Sequence, residues 1–457
     1  MKDFKNSTKK KNYIHNRYTR SANRKKQNSP KSPFFLKFNI KRIFTILGVL
    51  VLCLFFLNLF ISKQPAASNS SKWNLWRKDS AEIDKWQVFK AAETAFLFAE
   101  VKSNQYQVQL DNGNIINYSI DPELQQTVHD FMTQSQVPYA LFMAMEPKTG
   151  RILAMTSYSQ IDQTWAPEAF SQIYPMASLF KIITVSAALE QNKITTDDII
   201  KFGGKLSSEN PAHWLPTGKK YNQLPLIQAM AKSANPVFGR LAYEFVGANQ
   251  LVSQATKFGF NQELFPGTGI KQSQIHMPQT GYELALMGAG LDHEVKISPL
   301  HVLSIISGIA NNGTMMAPYL ADEIRDNKGT PIFRPKPTEL KQILTPAMAK
   351  NVEKLLSATV TQGTSKHAFC DRKGIPKIPG ISIAAKTGSI NGKEPPGYYS
   401  WFAAYAPIEN PQIAVVALVI NNEKWKIKAP NLGEKGLEAY FTKSRGTQCA
   451  PDNTGGH

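Results

Sequence analysis

The sequence predicts a mixed α/β domain that follows a single transmembrane helix, and three observations support this fold class. The chain has 457 residues, of which 42% are hydrophobic, which is enough for a sizeable core. Helical and strand periodicities succeed one another from Asp121 to about Phe441. An uncharged run of about nineteen residues, from Ile43 to Ile61, is long enough to cross a bilayer as a helix.

The first 42 residues form a basic tail, because Lys and Arg are dense there and Asp3 is the only acid. The tail carries much of the formal net charge of +19. Since Lys and Arg before an apolar helix mark the cytoplasmic side, we predict a cytoplasmic tail at 1–42 and a transmembrane helix at 43–62. A cleaved signal peptide, with a small-residue site at "QPAASNS", is the alternative.

This topology predicts a single-pass protein of the inner (cytoplasmic) membrane whose remaining residues lie outside the cytoplasm, in the periplasm. The basic tail is then a topology signal with some attraction to anionic lipid, and nucleic acid is not an expected partner. Cys370 and Cys449 both fall on the outer side, where they could pair or remain free thiols. No His or Cys pair has ligand spacing beside further ligands, so we expect no metal and no cofactor.

Residues 63–119 are predicted to be a linker and a small N-terminal region. The stretch "KQPAASNSSK" is small and polar, "AEIDKWQVFKAAETAFLFAEVKSN" is helix-prone, and "QYQVQLDNGNIINYSI" alternates around Asp-Asn-Gly as a β-hairpin does. The main domain is predicted at 120–445. The end of the chain, 446–457, is rich in turn-forming residues and is expected to be a flexible tail.

A Lys-Thr-Gly triplet occurs twice, first in "MEPKTGRILAM". There it joins two short apolar runs, Pro147 presets a turn, and Gly150 can take a positive φ. We therefore predict a β-hairpin with Lys148 exposed at its tip. We interpret the first triplet as part of a turn and not as a catalytic motif.

A second pattern, in "YPMASLFKIITVSAALE", places Ser178 three residues before Lys181 at the start of a helix-length apolar run. Positions i and i+3 share a helix face, so the amine can reach the hydroxyl. A serine near a helix N-terminus also gains from the positive end of the dipole when its alkoxide develops. The spacing is weak evidence by itself, because Ser7 and Lys10 repeat it in the basic tail.

Two further motifs follow downstream. Ser233-Ala-Asn235 lies between two amphipathic helical stretches, with Pro236 suited to the start of the second. The second Lys-Thr-Gly lies in "GISIAAKTGSI", which alternates as a strand does and places Lys386 at the end of its apolar part. Each motif is common by chance, and their order and spacing are the informative signal.

Ser-x-x-Lys, Ser-x-Asn and Lys-Thr-Gly in this order form the motif set of penicillin-binding proteins and class A β-lactamases. From about Ile120 to about Ile420, the chain resembles the transpeptidase domain of a membrane-anchored penicillin-binding protein without a glycosyltransferase domain. The resemblance extends to "YSIDPELQQTVHDFM", "AKSANPVFGRLAYEFVGANQLVSQATKFGF" and "GAGLDHEVKISPLHVLSIISGIANNGTMMAPYL". It implies an α+β fold like that of β-lactamases, with a central antiparallel sheet flanked by helices and an adjoining all-helical lobe.

The resemblance also implies roles. Ser178 would attack the D-Ala-D-Ala bond of a peptidoglycan stem peptide, with Lys181 as its base. Ser233 would relay a proton and Asn235 would hold the substrate amide. Lys386, Thr387, Gly388 and Ser389 would bind the terminal carboxylate, which β-lactam antibiotics imitate, and the backbone N–H groups of Ser178 and Ser389 would bind the oxyanion.

Other functions stay open at this stage. A D,D-carboxypeptidase differs only in its acceptor, and a serine β-lactamase must also hydrolyse its adduct. For the class A enzymes, no Glu-x-x-x-Asn loop is found between Asn249 and Gly290. A non-catalytic scaffold or sensor would not need Ser178, Lys181 and Lys386 to be intact. Cell-wall synthesis or division proteins are possible partners, and neither the acceptor nor the cellular role can be read from the residues.

Overall fold

Five antiparallel strands form the central sheet, in the order β14 (Ala384–Lys393), β15 (Pro396–Ala406), β16 (Ile413–Asn421), β4 (Tyr139–Met145) and β5 (Ile152–Tyr158). The structure is a computed structural model that describes residues 84–215, 221–422 and 425–448, with side chains to residue 442. The predicted cytoplasmic tail and transmembrane helix lie outside these ranges. Within them, no helix combines the length and the apolar character that a membrane crossing needs.

The helices alternate with the strands along the chain. The α-helices are α1 Lys85–Ala95, α2 Pro122–Gln134, α3 Trp165–Glu168, α4 Lys181–Glu190, α5 Leu226–Ala231, α6 Asn235–Arg240, α7 Ala248–Lys257, α8 Gly281–Gly288, α9 Pro299–Ala310, α10 Pro346–Leu356, α11 Lys366–Phe369 and α12 Ala429–Gln448. Short 3-10 helices cover Phe96–Phe98, Ala177–Phe180 and Pro211–His213, and a π-helical turn covers Leu241–Val246.

The strands belong to one main sheet and several smaller ones. They are β1 Glu100–Lys102, β2 Gln105–Gln109, β3 Ile115–Tyr118, β4 Tyr139–Met145, β5 Ile152–Tyr158, β6 Tyr174–Pro175, β7 Ile199–Phe202, β8 Asn222–Pro225, β9 Lys296–Ile297, β10 Thr314–Met316, β11 Ala321–Arg325, β12 Pro331–Phe333, β13 Glu339–Gln342, β14 Ala384–Lys393, β15 Pro396–Ala406 and β16 Ile413–Asn421.

Helix starts follow local capping rules. Asp121 accepts hydrogen bonds from the backbone N–H groups of Glu123 and Leu124 ahead of α2, and proline occupies the first turn. Ser298 caps α9 and Thr345 caps α10 in the same way, each followed by proline. Because these caps satisfy backbone donors that the helix leaves unpaired, sequence alone fixes where such helices begin.

Helices cover both faces of the central sheet, and the position of Lys386 along β14 sets the face to which its side chain points. Strand residues alternate between faces, and the face that carries Phe142, Phe402 and Ala385 packs against α2 and α12. Helix α9 contacts β4, β15 and β16 but contributes nothing to that core, so it covers the opposite face. Helices α4, α6, α7 and α8 pack against one another as a helical lobe. Lys386, next to Ala385 on β14, points toward the side of α9 and of this lobe.

The fold agrees with the predicted class, an antiparallel sheet between helices beside a helical lobe. Both predicted hairpins are present: β2 pairs with β3 around Gly113, and β4 pairs with β5. Lys148 is exposed at the second hairpin's tip, where it donates to Asn410 Oδ1 at 3.0 Å.

Two structural features lie at the predicted ends of the main domain. Strand β3 pairs with β11, so the small N-terminal region shares a five-stranded sheet with residues from far along the chain. Local sequence does not encode such long-range pairing. At the other end α12 continues to Gln448, three residues into the predicted flexible tail. Cys449 lies outside the described residues, so its pairing with Cys370 stays untested.

Candidate active site

Ser178 lies in the 3-10 helix that leads into α4, and close backbone packing holds it there. Ala177, directly before it, has a φ of +54°, a conformation that costs an alanine energy. Gly290 lies so close that a Cβ there would be 2.3 Å from the Ala177 carbonyl oxygen. A Cβ on Gly388 would be 3.3 Å from Ser178 N, so two glycines allow the nucleophile segment to fit between the helical lobe and β14.

Lys181 is fully buried at the centre of the site. Its Nζ lies 2.7 Å from Ser178 Oγ and 3.0 Å from Ser233 Oγ. It also donates to Asn235 Oδ1 at 2.7 Å and to the Ser233 carbonyl oxygen at 3.0 Å. The first two motifs are therefore in direct contact.

The surroundings of Lys181 suit a neutral amine. A neutral amine has two N–H bonds and one lone pair, and Asn235 Oδ1 and the Ser233 carbonyl oxygen can only accept hydrogen bonds. If they take the two N–H bonds, the lone pair is left for the Ser178 hydroxyl proton. Burial, reinforced by the charge of Lys386, lowers the pKa of Lys181 well below its usual range.

Ser233 lies on the short turn between α5 and α6, and Asn235 is the first residue of α6. Ser233 has a φ of +55°, and its Oγ lies between two amines, 3.0 Å from Lys181 Nζ and 2.9 Å from Lys386 Nζ. Asn235 donates through Nδ2 to the Ser208 carbonyl oxygen at 3.3 Å. Asn235 therefore orients Lys181, a role that the sequence did not reveal.

Lys386 reaches the site from the third residue of β14 and is also fully buried. Its Nζ donates to Ser233 Oγ at 2.9 Å and to the Thr387 carbonyl oxygen at 2.8 Å. A protonated ammonium has three N–H bonds, so among the described contacts one remains for a ligand. Burial lowers the pKa of Lys386 to about 7, so its charge is easily lost until an anion binds.

The rest of the triplet continues along β14, where Thr387 is buried and Ser389 is exposed. Thr387 Oγ1 lies 2.6 Å from Thr364 Oγ1, and the Thr364 N–H donates to the Ala231 carbonyl oxygen at 3.0 Å. Thr364 thus ties β14 to the end of α5, two residues before Ser233. Sequence reasoning missed it, although the turn-forming "QGTS" around it marks a loop.

The structure thus brings together the five residues predicted to be catalytic: Ser178, Lys181, Ser233, Asn235 and Lys386. The first triplet is elsewhere, since Lys148 bonds Asn410 on the surface. Across residues 84–215, 221–422 and 425–448, no group of three or more His, Cys, Asp or Glu side chains could hold a metal ion.

A serine hydroxyl 2.7 Å from a buried lysine amine, with a second buried lysine amine and a second serine hydroxyl beside it, is the arrangement of a serine acyltransferase site. Here it lies on an antiparallel sheet between helices. The chain belongs to the penicillin-binding protein transpeptidase family, whose transpeptidase domain matches residues 140–434.

Named relatives and solved structures agree with this assignment. The chain is 28% identical over 344 residues to peptidoglycan D,D-transpeptidase PbpA of Mycobacterium tuberculosis, which covers 68% of each chain. It is 26% identical to stage V sporulation protein D of Bacillus subtilis, over 69% of this chain and 51% of that protein. The imipenem acyl-enzyme complex of penicillin-binding protein A from M. tuberculosis superposes with a TM-score of 0.59 at 27% identity, covering 72% of this chain and 80% of that one.

Proposed function

We propose that this protein is a peptidoglycan D,D-transpeptidase that acts on D-Ala-D-Ala stem peptides through a Ser178 acyl-enzyme. The observation that carries the proposal is the contact geometry of Lys181: its Nζ lies 2.7 Å from Ser178 Oγ, while Asn235 Oδ1 and the Ser233 carbonyl oxygen can accept the two N–H bonds of a neutral amine. A neutral base held against a serine hydroxyl is what acyl transfer at neutral pH requires.

In the acylation step, Ser178 Oγ forms a bond to the carbonyl carbon of the D-Ala-D-Ala peptide, and its proton passes to Lys181 Nζ. The backbone N–H groups of Ser178 and Ser389 would stabilise the oxyanion. The peptide C–N bond then breaks, and the departing D-Ala amine receives the proton through Ser233 Oγ. The remaining N–H of Lys386, with Thr387 and Ser389, would hold the terminal carboxylate.

In the second step, an acceptor amine attacks the ester, its proton passes to Lys181, and the Ser178 oxygen leaves and is reprotonated. A β-lactam enters the same route, but its ring nitrogen stays tethered to the acyl group. The leaving amine therefore blocks the acceptor's approach, and the acyl-enzyme persists. This chemistry makes penicillins covalent labels of Ser178.

A cleft of about 1130 Å³ beside the site supports a substrate longer than a dipeptide. It is lined by Pro175, which lies three residues before Ser178, and by charged side chains of both signs, among them Glu294, Lys296, Lys393 and Glu394. Mixed charges of this kind suit the carboxylates and amines of a stem peptide. We also propose that the segment 43–62 anchors the domain to the outer face of the cytoplasmic membrane.

The test uses the detergent-solubilised full chain, a peptide that ends in D-Ala-D-Ala, and an acceptor amine that is added or withheld. A cross-linked peptide that depends on the amine supports transpeptidation. Release of D-Ala that does not respond to the amine identifies a carboxypeptidase, and rapid release of ring-opened penicillin identifies a β-lactamase. Absence of any covalent penicillin adduct would indicate that the protein is a non-catalytic scaffold.

The pH dependence of acylation should follow the two lysines. Lys181 must be neutral to accept a proton and Lys386 must be charged to bind a carboxylate. The second-order rate constant for penicillin acylation should therefore rise as Lys181 loses its proton and fall as pH increases through about 7, where free Lys386 loses its charge. The rate at saturating penicillin should fall only at higher pH, since the bound carboxylate raises the pKa of Lys386. Two profiles that are flat up to pH 9 would contradict this assignment.

Thr364 should act as a positioning residue through Thr387. Thr364→Val removes the hydroxyl at nearly constant volume, and we expect acylation efficiency to fall by about tenfold, mainly through weaker binding, because one neutral hydrogen bond is lost. Thr364→Ser should restore it. Steady-state kinetics with the peptide would separate KM from kcat, and an equal loss in the serine variant would point to packing instead.

A further inference from the structure

A second groove lies at the end of the β14–β15 hairpin, away from the charged cleft. It measures about 840 Å³, and Tyr398 and Ile161 supply exposed apolar surface to it. Among the residues that the structure describes, its polar lining consists largely of side-chain amides, those of Gln136, Gln160, Asn391 and Asn422, with Lys426 as the charged side chain. A groove with this composition offers hydrogen bonds without a strong charge preference.

Tyr398 is held as a rigid surface by a second aromatic ring. Trp425 stacks on it, with ring centroids 5.6 Å apart and an angle of 28° between the planes. Lys428 Nζ lies 4.9 Å from the centroid of the Trp425 ring. Both aromatic side chains are 43% exposed, so together they present an aromatic surface to solvent.

We propose that this groove binds the glycan strand of peptidoglycan. The C–H groups on one face of a pyranose ring pack on an aromatic ring, and the hydroxyl and acetamido groups of amino sugars exchange hydrogen bonds with side-chain amides. The exposed face of Tyr398 and its rim of Asn and Gln side chains match both requirements. The inference rests on the proposed function and names the part of the substrate that lies beyond the stem peptide.

The position of the groove fits such a ligand. Asn391 pairs with Tyr398 across the hairpin, and Asn391 lies on the same strand as Lys386. Asn391 is five residues from Lys386 and therefore points to the opposite face of β14. The stem peptide of a glycan in the groove would reach Ser178 around the end of the hairpin, where Gly392 lines both the groove and the charged cleft.

The two faces of the hairpin separate two kinds of chemistry. Gly392 lines both grooves, Tyr399 lines the charged cleft, and Tyr398 lines the amide groove, because neighbouring strand residues point to opposite faces. The charged cleft suits peptide carboxylates and amines. The amide groove suits a neutral, hydroxyl-rich chain.

The test measures, by calorimetry, binding of peptide-free glycan strands of alternating N-acetylglucosamine and N-acetylmuramic acid to the detergent-solubilised full chain, with the lactyl carboxyl groups amidated so that the strands are neutral. Tyr398→Ala and Trp425→Ala should each weaken binding by about tenfold or more, and Tyr398→Phe, which keeps the ring, should retain it. Tyr221→Ala is the matched control, since Tyr221 is also exposed, at 44%, with Lys201 over its ring at 4.9 Å, but lies away from this groove. It should bind as the wild type does.

Penicillin labelling of the same variants separates this inference from the proposed function. Labelling should be unchanged in all of them, which also shows that they are folded. Unchanged glycan binding in Tyr398→Ala and Trp425→Ala, with labelling intact, would overturn the glycan site alone. The glycan site would also be wrong if the wild type binds no glycan but binds anionic lipid vesicles, and Tyr398→Ala and Trp425→Ala lose that vesicle binding. The groove would then be a membrane contact. Loss of labelling in the wild type would instead contradict the proposed function.

Discussion

Ser178→Ala should abolish covalent labelling by a fluorescent penicillin. The variant lacks the oxygen that forms the acyl bond, and the residual rate should be below a thousandth of the wild-type rate, because the remaining groups can bind and polarise the ligand but cannot form the ester. The measurement is in-gel fluorescence of the solubilised full chain after a fixed exposure to the label, with mass spectrometry to locate the adduct.

Stability must be measured beside labelling for this variant. Ser178 is buried and its Oγ lies 2.7 Å from Lys181 Nζ, so its removal should change the free energy of unfolding by no more than about 1.5 kcal/mol. If a folded Ser178→Ala protein is labelled as strongly as the wild type, a residue other than Ser178 is the nucleophile. Ser233 would then be the first candidate, since its Oγ also contacts both lysines.

Lys386→Ala should reduce the second-order rate constant for penicillin acylation by about 10²- to 10³-fold, whereas Lys148→Ala should leave it within about twofold of the wild type. Both substitutions remove the lysine of a Lys-Thr-Gly triplet, so local sequence is matched. Lys386 contacts Ser233 Oγ and has an N–H bond left for a ligand carboxylate, and such fixed charges in a buried site contribute strongly to catalysis. Lys148 is exposed, and its Nζ donates a hydrogen bond to Asn410 Oδ1 on the surface.

Stopped-flow acylation and thermal unfolding of both variants provide the comparison. Lys386→Ala removes a buried cation as well as its hydrogen bonds, so its melting temperature must be known before a loss of rate is assigned to chemistry. Comparable losses in the two variants would mean that the effect comes from general surface charge or from folding. If Lys386→Ala and the wild type have equal second-order rate constants for penicillin acylation, Lys386 does not bind the ligand carboxylate.

Much of the candidate site was readable from sequence because its motifs are local. Ser178 and Lys181 share one turn of helix, Ser233 and Asn235 share one turn between helices, and Lys386 begins a polar stretch of a strand. Likewise, Pro147 and Gly150 specify a tight turn, so the first triplet could be assigned to a hairpin without coordinates. Periodicity, caps and turn residues act over a few positions, and these are the signals that a single sequence carries.

The sequence by itself determined the class of fold, the order of the motifs and the distinction between the two triplets. Only the tertiary structure decided that Lys181 meets two obligate acceptors, that Lys386 is fully buried, and that Thr364 ties β14 to α5. It also decided that Tyr398 and Trp425 stack beside a groove lined by amides. The reason is physical: the pKa of a lysine and the surface that a tyrosine presents depend on burial and on neighbours that are distant in the chain.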